Sequence, residues 1–322
     1  DTGLLQHAKY TTPNRHHGYC VDDNARGLIA LTKYYSLRKD KEVLNLIQKY
    51  LAFLFYAFNQ ENGRFRNFMS YDRRWMELAG SEDSHSRALW GLGITVKEAP
   101  DSSIRNMAMR LFLDSLPAVE NFTSPRAWSY AILGLQSYLS VYGGDIEARK
   151  TRDFLAKKIH ELFKNNASDD WNWCENTATY ANAILPHALI VAGKWIPDQE
   201  MYNDGIKSLE WLLKAQTAPN GHLSIIGNNG WLNKDGNRSM FDQQPIEVKA
   251  LIDACLDVYI STGDKKWFEE SERCLSWFLG QNDLELPVCD YKTGGCGDGL
   301  EAQGVNGNQG AESTLSWIIS LV

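Results

Sequence analysis

Apolar residues recur along much of the chain at three- and four-residue intervals. Val43, Leu44, Ile47, Tyr50, Leu51 and Leu54 form one such stripe, and that period is the buried face of an amphipathic helix. Comparable stretches cover about 101–116, 146–163, 199–215 and 264–279. Between them lie segments of a second kind, rich in Ala and Gly. They run through Asn24–Leu28, Ser86–Gly91, Ala127–Ala131, Ala178–Ala183, Val248–Ile252 and Ala311–Leu315. Small residues let helix axes approach closely, so these segments predict helices crowded on all sides. Strand-like alternation of useful length does not appear.

The two kinds alternate as a loose internal repeat. The small-residue helices are expected to start near Asp22, Glu82, Pro125, Glu175, Pro245 and Gln309. That makes six inner helices and five amphipathic partners. Two of the loops also resemble each other, Asn62-Gly63-Arg64-Phe65 and Asn220-Gly221-His222-Leu223. No Pro-, Gly- or Ser-rich linker divides the chain. The pattern therefore predicts an all-α fold, with residues 1–322 as a single domain: a ring of helical hairpins with short hairpins in its loops.

Composition narrows the function. With 33 Lys and Arg against 40 Asp and Glu, the net charge is −7. An acidic chain without a basic block speaks against nucleic-acid binding, which requires phosphate neutralisation. Hydrophobic residues at 43% and charged ones at 23% exclude wholesale disorder. No apolar run approaches the ~20 residues that span a bilayer. The chain begins at Asp1 and ends at Val322 within an apolar helical pattern, so both ends are read as trimmed. A cytoplasmic location is expected, or a periplasmic one if a leader was removed. Six cysteines without a CxxC pair read as mostly free thiols; Cys289 and Cys296 alone are near enough in sequence to bridge a loop. His16-His17 before Asp22-Asp23 lacks the spacing of a zinc site, so neither metal nor cofactor is expected. His187 is read as a packing residue and His160 as solvated.

Polar and aromatic residues concentrate where the inner helices start. The first start carries Asp22, Asp23 and Arg26; the second, Asp83, His85 and Arg87; the third, Arg126 and Trp128. The fourth carries Trp173, Glu175 and Asn176, and the fifth Asp242, Gln243 and Glu247. Taken singly, each carboxylate is accounted for by helix initiation. Asp22, Ser81 and Asp242 read as N-caps, while Asp83 and Glu247 in first turns complement the helix dipole. Capping explains neither the arginines nor the indoles beside them. Together these groups suit a polyhydroxylated ligand, whose hydroxyls take directional hydrogen bonds and whose C–H faces stack on Trp. In a helical ring the starts would converge on one cleft.

Six Ala/Gly-rich helices with acidic and aromatic starts resemble the (α/α)6 toroid of the six-hairpin glycosidase superfamily. The segments His17–Arg26 and Phe241–Glu247 are similar to segments of bacterial helical proteins associated with glycosyltransferases. The resemblance implies a carbohydrate-active enzyme, foremost a glycoside hydrolase acting on an oligosaccharide. Its acid/base pair would come from Asp22, Asp23 or Asp83 together with Glu247. Arg26, His85, Arg87, Arg126, Trp128, Trp173, Glu175, Asn176 and Gln243 would form sugar subsites. The alternatives are a sugar epimerase or isomerase using His85, or a glycan-binding module accompanying a glycosyltransferase.

Overall fold

Eleven α-helices run through residues 2–322, the span that the computed structural model describes. They are α1 (Val21–Arg38), α2 (Leu44–Ala57), α3 (Glu82–Glu98), α4 (Ser102–Ser115), α5 (Pro125–Leu139) and α6 (Ile146–Asn166). The rest are α7 (Ile184–Trp195), α8 (Gln199–Ala215), α9 (Pro245–Thr262), α10 (Lys265–Phe278) and α11 (Ala311–Ser320). Strands among the described residues are two-residue pieces paired into five small ladders, as the loop-hairpin expectation requires. The chain divides into two units: one holds the residues up to Ala8, Thr12–Ala156 and Val322, the other Lys9–Thr11 and Lys157–Leu321.

In the first unit, α3 is buried at every position from Asp83 to Val96, and it packs against both α1 and α5. Burial all round is what its Ala and Gly content permits. The tightest approach joins α3 to α5: a Cβ added to Gly93 would stand 2.2 Å from the carbonyl oxygen of Gly134. By contrast, α2 buries a stripe of Ile47, Tyr50, Leu51 and Leu54, and α4 one of Ile104, Ala108, Leu111 and Phe112.

The second unit repeats the arrangement. α7 pairs with α8 and α9 with α10, while α9 also packs on α7 and α11. The stripes of α8 (Met201, Gly205, Ser208, Leu209, Leu212) and α10 (Trp267, Ser271, Cys274, Trp277, Phe278) are their buried faces. His187 is buried in α7 with Nε2 2.6 Å from an Asp257 oxygen. His160, expected in solvent, is buried instead, because Asp204 on α8 supplies a partner at 2.9 Å.

Helix starts near Asp22, Glu82, Pro125, Pro245 and Gln309 fall within two residues of expectation. The fourth does not, since α7 begins at Ile184 rather than near Glu175. Thr177–Ala178 pairs as a strand with Leu232–Asn233, and Ala181 takes a left-handed φ of 45°. The N-caps also differ. Ser81 caps α3 as predicted, accepting from Ser84 N at 3.0 Å. Asp22 lies inside α1, whose N-cap is Cys20 and whose first two N–H groups donate to Asn67 Oδ1 at 3.1 and 3.3 Å. With those donors satisfied, the Asp22 carboxylate turns elsewhere. Asp242 sits two residues before the α9 N-cap, Gln244; Pro245 at the first helical position has no N–H to satisfy.

Candidate functional site

The first unit assembles a charged cluster at the starts of α1, α3 and α5. Arg87 is its centre. One guanidinium nitrogen donates to Asp22 Oδ1 at 3.1 Å, and another donates to the Tyr130 hydroxyl at 3.3 Å and stands 4.0 Å from Asp83 Oδ2. The same guanidinium lies 4.7 Å from the centre of the Tyr130 ring. Asp83 accepts from Ser124 Oγ at 2.7 Å, and Asp23 accepts from Arg26 at 3.2 Å and from the Cys20 thiol at 3.0 Å. Burial by itself would raise Asp22, yet the neighbouring Arg87 and Arg26 charges hold its carboxyl below the usual range. Burial likewise pushes the Tyr130 phenol up against the pull of Arg87 and Arg26, so it stays a neutral hydrogen-bonding group. Arg126 is buried one residue into α5. Tyr130 is absent from the sequence-derived set, although its spacing four residues after Arg126 puts both on one helix face.

Two expected members of this cluster are used elsewhere. His85 is fully buried between the rings of Phe65 and Phe122, each 5.2 Å away. Its Nδ1 accepts from Phe65 N at 3.2 Å, which leaves Nε2–H to donate to Ser115 O at 3.0 Å. Burial first, and Arg64 second, lower its pKa to about 3, so the ring is neutral and tied to backbone on both sides. Trp128 is also buried, with its indole N–H spent on Phe122 O at 2.8 Å.

In the second unit, Glu247 is 3% exposed and receives three donors: Ala181 N, Asn182 N at 3.0 Å and Asn182 Nδ2 at 3.1 Å. The carboxylate thus fixes the turn that precedes α7. A glutamine offers one acceptor oxygen, so Glu247→Gln would aim an NH2 at a buried N–H. We expect urea denaturation to register a loss of about 2 kcal/mol, the range for buried hydrogen bonds to a charged group. Gln243 is fully buried; it donates to Met240 O at 2.8 Å and to Asp283, and accepts from Trp277 Nε1 at 2.8 Å. Trp173 is fully buried against Trp211, with ring centres 5.7 Å apart, and Phe163. Glu175 is half-buried, while Asn176 is exposed and accepts from Lys234 N at 2.9 Å through its backbone.

Asp242 is a carboxyl of this unit in a strongly altered environment. Gln243 and Leu300 exchange backbone hydrogen bonds at 3.0 and 2.8 Å, which brings the 298–301 segment alongside. Gly299 lies against the carboxylate: a Cβ there would stand 2.3 Å from Asp242 Oδ1. That oxygen is buried and has no hydrogen-bond partner among the described residues. Partial burial, then the charges of Glu301 and Asp298, raise the Asp242 pKa to about 6. Asp298 itself accepts from Gly310 N at 2.7 Å, and Glu301 from Asn306 Nδ2 at 2.8 Å. Among the described residues, no group of three or more His, Cys, Asp or Glu is arranged to hold a metal ion, and no helix is long and apolar enough to cross a membrane.

No family model matches the chain, and no curated protein matches it. Solved structures do, and they establish the fold as the (α/α)6 toroid. The cellobiose 2-epimerase of Bacillus thermoamylovorans superposes with a TM-score of 0.76 at 12% identity, over 99% of this chain and 92% of that one. A D-mannose isomerase gives 0.74 at 11% identity, over 99% and 92%. An inactive variant of an α-1,6-mannanase from a Salegentibacter species, with two consecutive aspartates replaced by alanine and α-1,6-mannotetrose bound, gives 0.66 at 12%, over 99% and 91%. At such identities the likeness is one of fold.

Proposed function

We propose that the protein is a carbohydrate-active enzyme, and within that class a glycoside hydrolase acting on an oligosaccharide. The observation that carries this reading is Asp242, a half-buried carboxyl with an unpaired oxygen, raised to about 6 beside Glu301 and Asp298. Hydrolysis requires one carboxylic acid that still holds its proton near neutrality and one carboxylate that has lost it. Asp242 is suited to protonate the departing glycosidic oxygen. Glu301 and Asp298, whose charges lie beside Asp242 in the same unit, are the carboxylates to test for water activation. In the first unit, the Asp22–Arg87 cluster with Arg26, Arg126 and Tyr130 is by itself a second place to hold sugar hydroxyls. Glu247, expected from sequence as half of the catalytic pair, is assigned to anchoring the α7 turn. The mannanase is inactive without two consecutive aspartates, and this chain carries two such pairs, Asp22-Asp23 and Asp169-Asp170, whose alanine variants are to be tested.

The epimerase reading draws on the cellobiose 2-epimerase and mannose isomerase likenesses. It needs a base beside a carbonyl carbon, and His85, the histidine expected for it, is tied to backbone. Incubation with α-1,6-mannotetrose, cellobiose and mannose separates the readings. New reducing ends from an oligosaccharide support hydrolysis. Conversion of cellobiose or mannose to an isomer without new reducing ends would replace that reading with epimerisation. Binding without turnover, across a wider glycan panel, would leave a glycan-binding module of the kind that accompanies a glycosyltransferase.

A further inference from the structure

Residues 288–297 form a tight hairpin in the second unit. Asp290 N donates to Gly295 O at 2.8 Å and Gly297 N to Val288 O at 2.9 Å. These bonds bracket Cys289 and Cys296, which face each other as antiparallel partners. The bracketing makes them a non-hydrogen-bonded pair, whose Cα atoms stand about 4.5 Å apart with side chains close together. Disulfides span Cα separations of about 4.4–6.8 Å, so this register admits a bridge without moving either strand. Both thiols are free and buried, each aimed at a carbonyl: Cys289 Sγ lies 3.3 Å from Phe278 O, and Cys296 Sγ lies 3.4 Å from Gly297 O.

We propose that Cys289 and Cys296 are a thiol–disulfide modification site, oxidised by a low-molecular-weight disulfide. The Cys289 thiolate attacks one sulfur of the small disulfide, whose S–S bond breaks. One small thiolate departs and takes up the proton that Cys289 lost. The Cys296 thiolate then attacks the Cys289 sulfur, expelling the second small thiolate, which takes up the proton from Cys296. Two protein thiols are oxidised and one disulfide is reduced to two thiols. Burial raises both thiols above their ordinary range, so the first attack is slow and waits on opening of the hairpin. The second attack is intramolecular and fast. The strand leaving Cys296 leads to Asp298 and Glu301 beside Asp242, so the bridge restrains that acidic segment covalently. The site itself does not depend on the hydrolase reading.

The test uses the full chain and oxidised glutathione at mildly alkaline pH. We expect the mass to fall by two hydrogens, a single cross-linked peptide joining Cys289 to Cys296, and reversal by dithiothreitol. Trypsin cutting after Lys292 should slow by roughly tenfold or more, as loop closure removes open states of the hairpin. Cys296→Ser should instead accumulate one glutathione adduct on Cys289. Six free thiols persisting under full oxidation would overturn the proposal. A bridge involving any other cysteine, or a glutathione adduct on the native pair that never resolves into a bridge, would overturn it equally.

Discussion

Asp242→Asn is expected to abolish most turnover while making the protein more stable at neutral pH. The first effect follows from general acid catalysis, which typically supplies two to four orders of magnitude. The second follows from linkage. A carboxyl raised to about 6 in the folded chain binds its proton more tightly there than when unfolded. Its ionised form therefore weakens the fold, fully above about pH 6 and not at all below the ordinary carboxylate range. Asparagine carries no such charge. After discounting for solvent screening of a half-buried group, the gain at pH 7.5 should be about 1 kcal/mol. It should shrink as pH falls through 6 and vanish near about pH 4. Melting temperatures across that range, with turnover on the responsive glycan, provide the check. A variant that keeps full activity, or that is less stable at pH 7.5, would remove Asp242 as the acid.

The largest purely structural effect should come from Gly93→Ala. The added Cβ would meet the Gly134 carbonyl oxygen at 2.2 Å, and both partners are helix backbone that cannot rotate aside. Separating α3 from α5 breaks packing along helices buried on all faces. We expect a loss of about 3 kcal/mol or more, at the upper end for overpacked cores. Gly144→Ala, with nothing within 4 Å of the added carbon, should change stability by no more than about 0.5 kcal/mol. Equal costs at the two positions would mean that α3 and α5 do not rely on backbone contact.

Local signals carried the architecture. The stripe of α2 and the Ala/Gly runs of α3 and α5 are legible because period and residue size act within a few residues. The start of α7 was not legible, because its turn is set by Glu247, 65 and 66 positions further along the chain. Candidate residues divide in the same way. Asp22 and Arg87 are recognisable as charged residues at helix starts, although their pairing depends on α1 packing against α3. The character of Asp242 depends on Glu301 and Asp298, which arrive through the Gln243–Leu300 pairing. No spacing within Phe241–Glu247 announces it. His85 reads as reactive until Phe65 and Ser115 close around it.

The cap on α1 bears on the order in which the chain folds. Asn67 lies 46 residues from Val21, and its own backbone N–H is held by Glu77 Oε1 at 2.8 Å. The first turn of α1 therefore cannot be completed by local contacts; it waits for the 65–77 segment to arrive. A peptide of residues 16–38 should consequently fray at its N-terminal end while remaining helical further along. In the whole chain, Asp22 and Asp23 should reach their final positions among the later events, since closing a long loop costs entropy before its contacts can offset it.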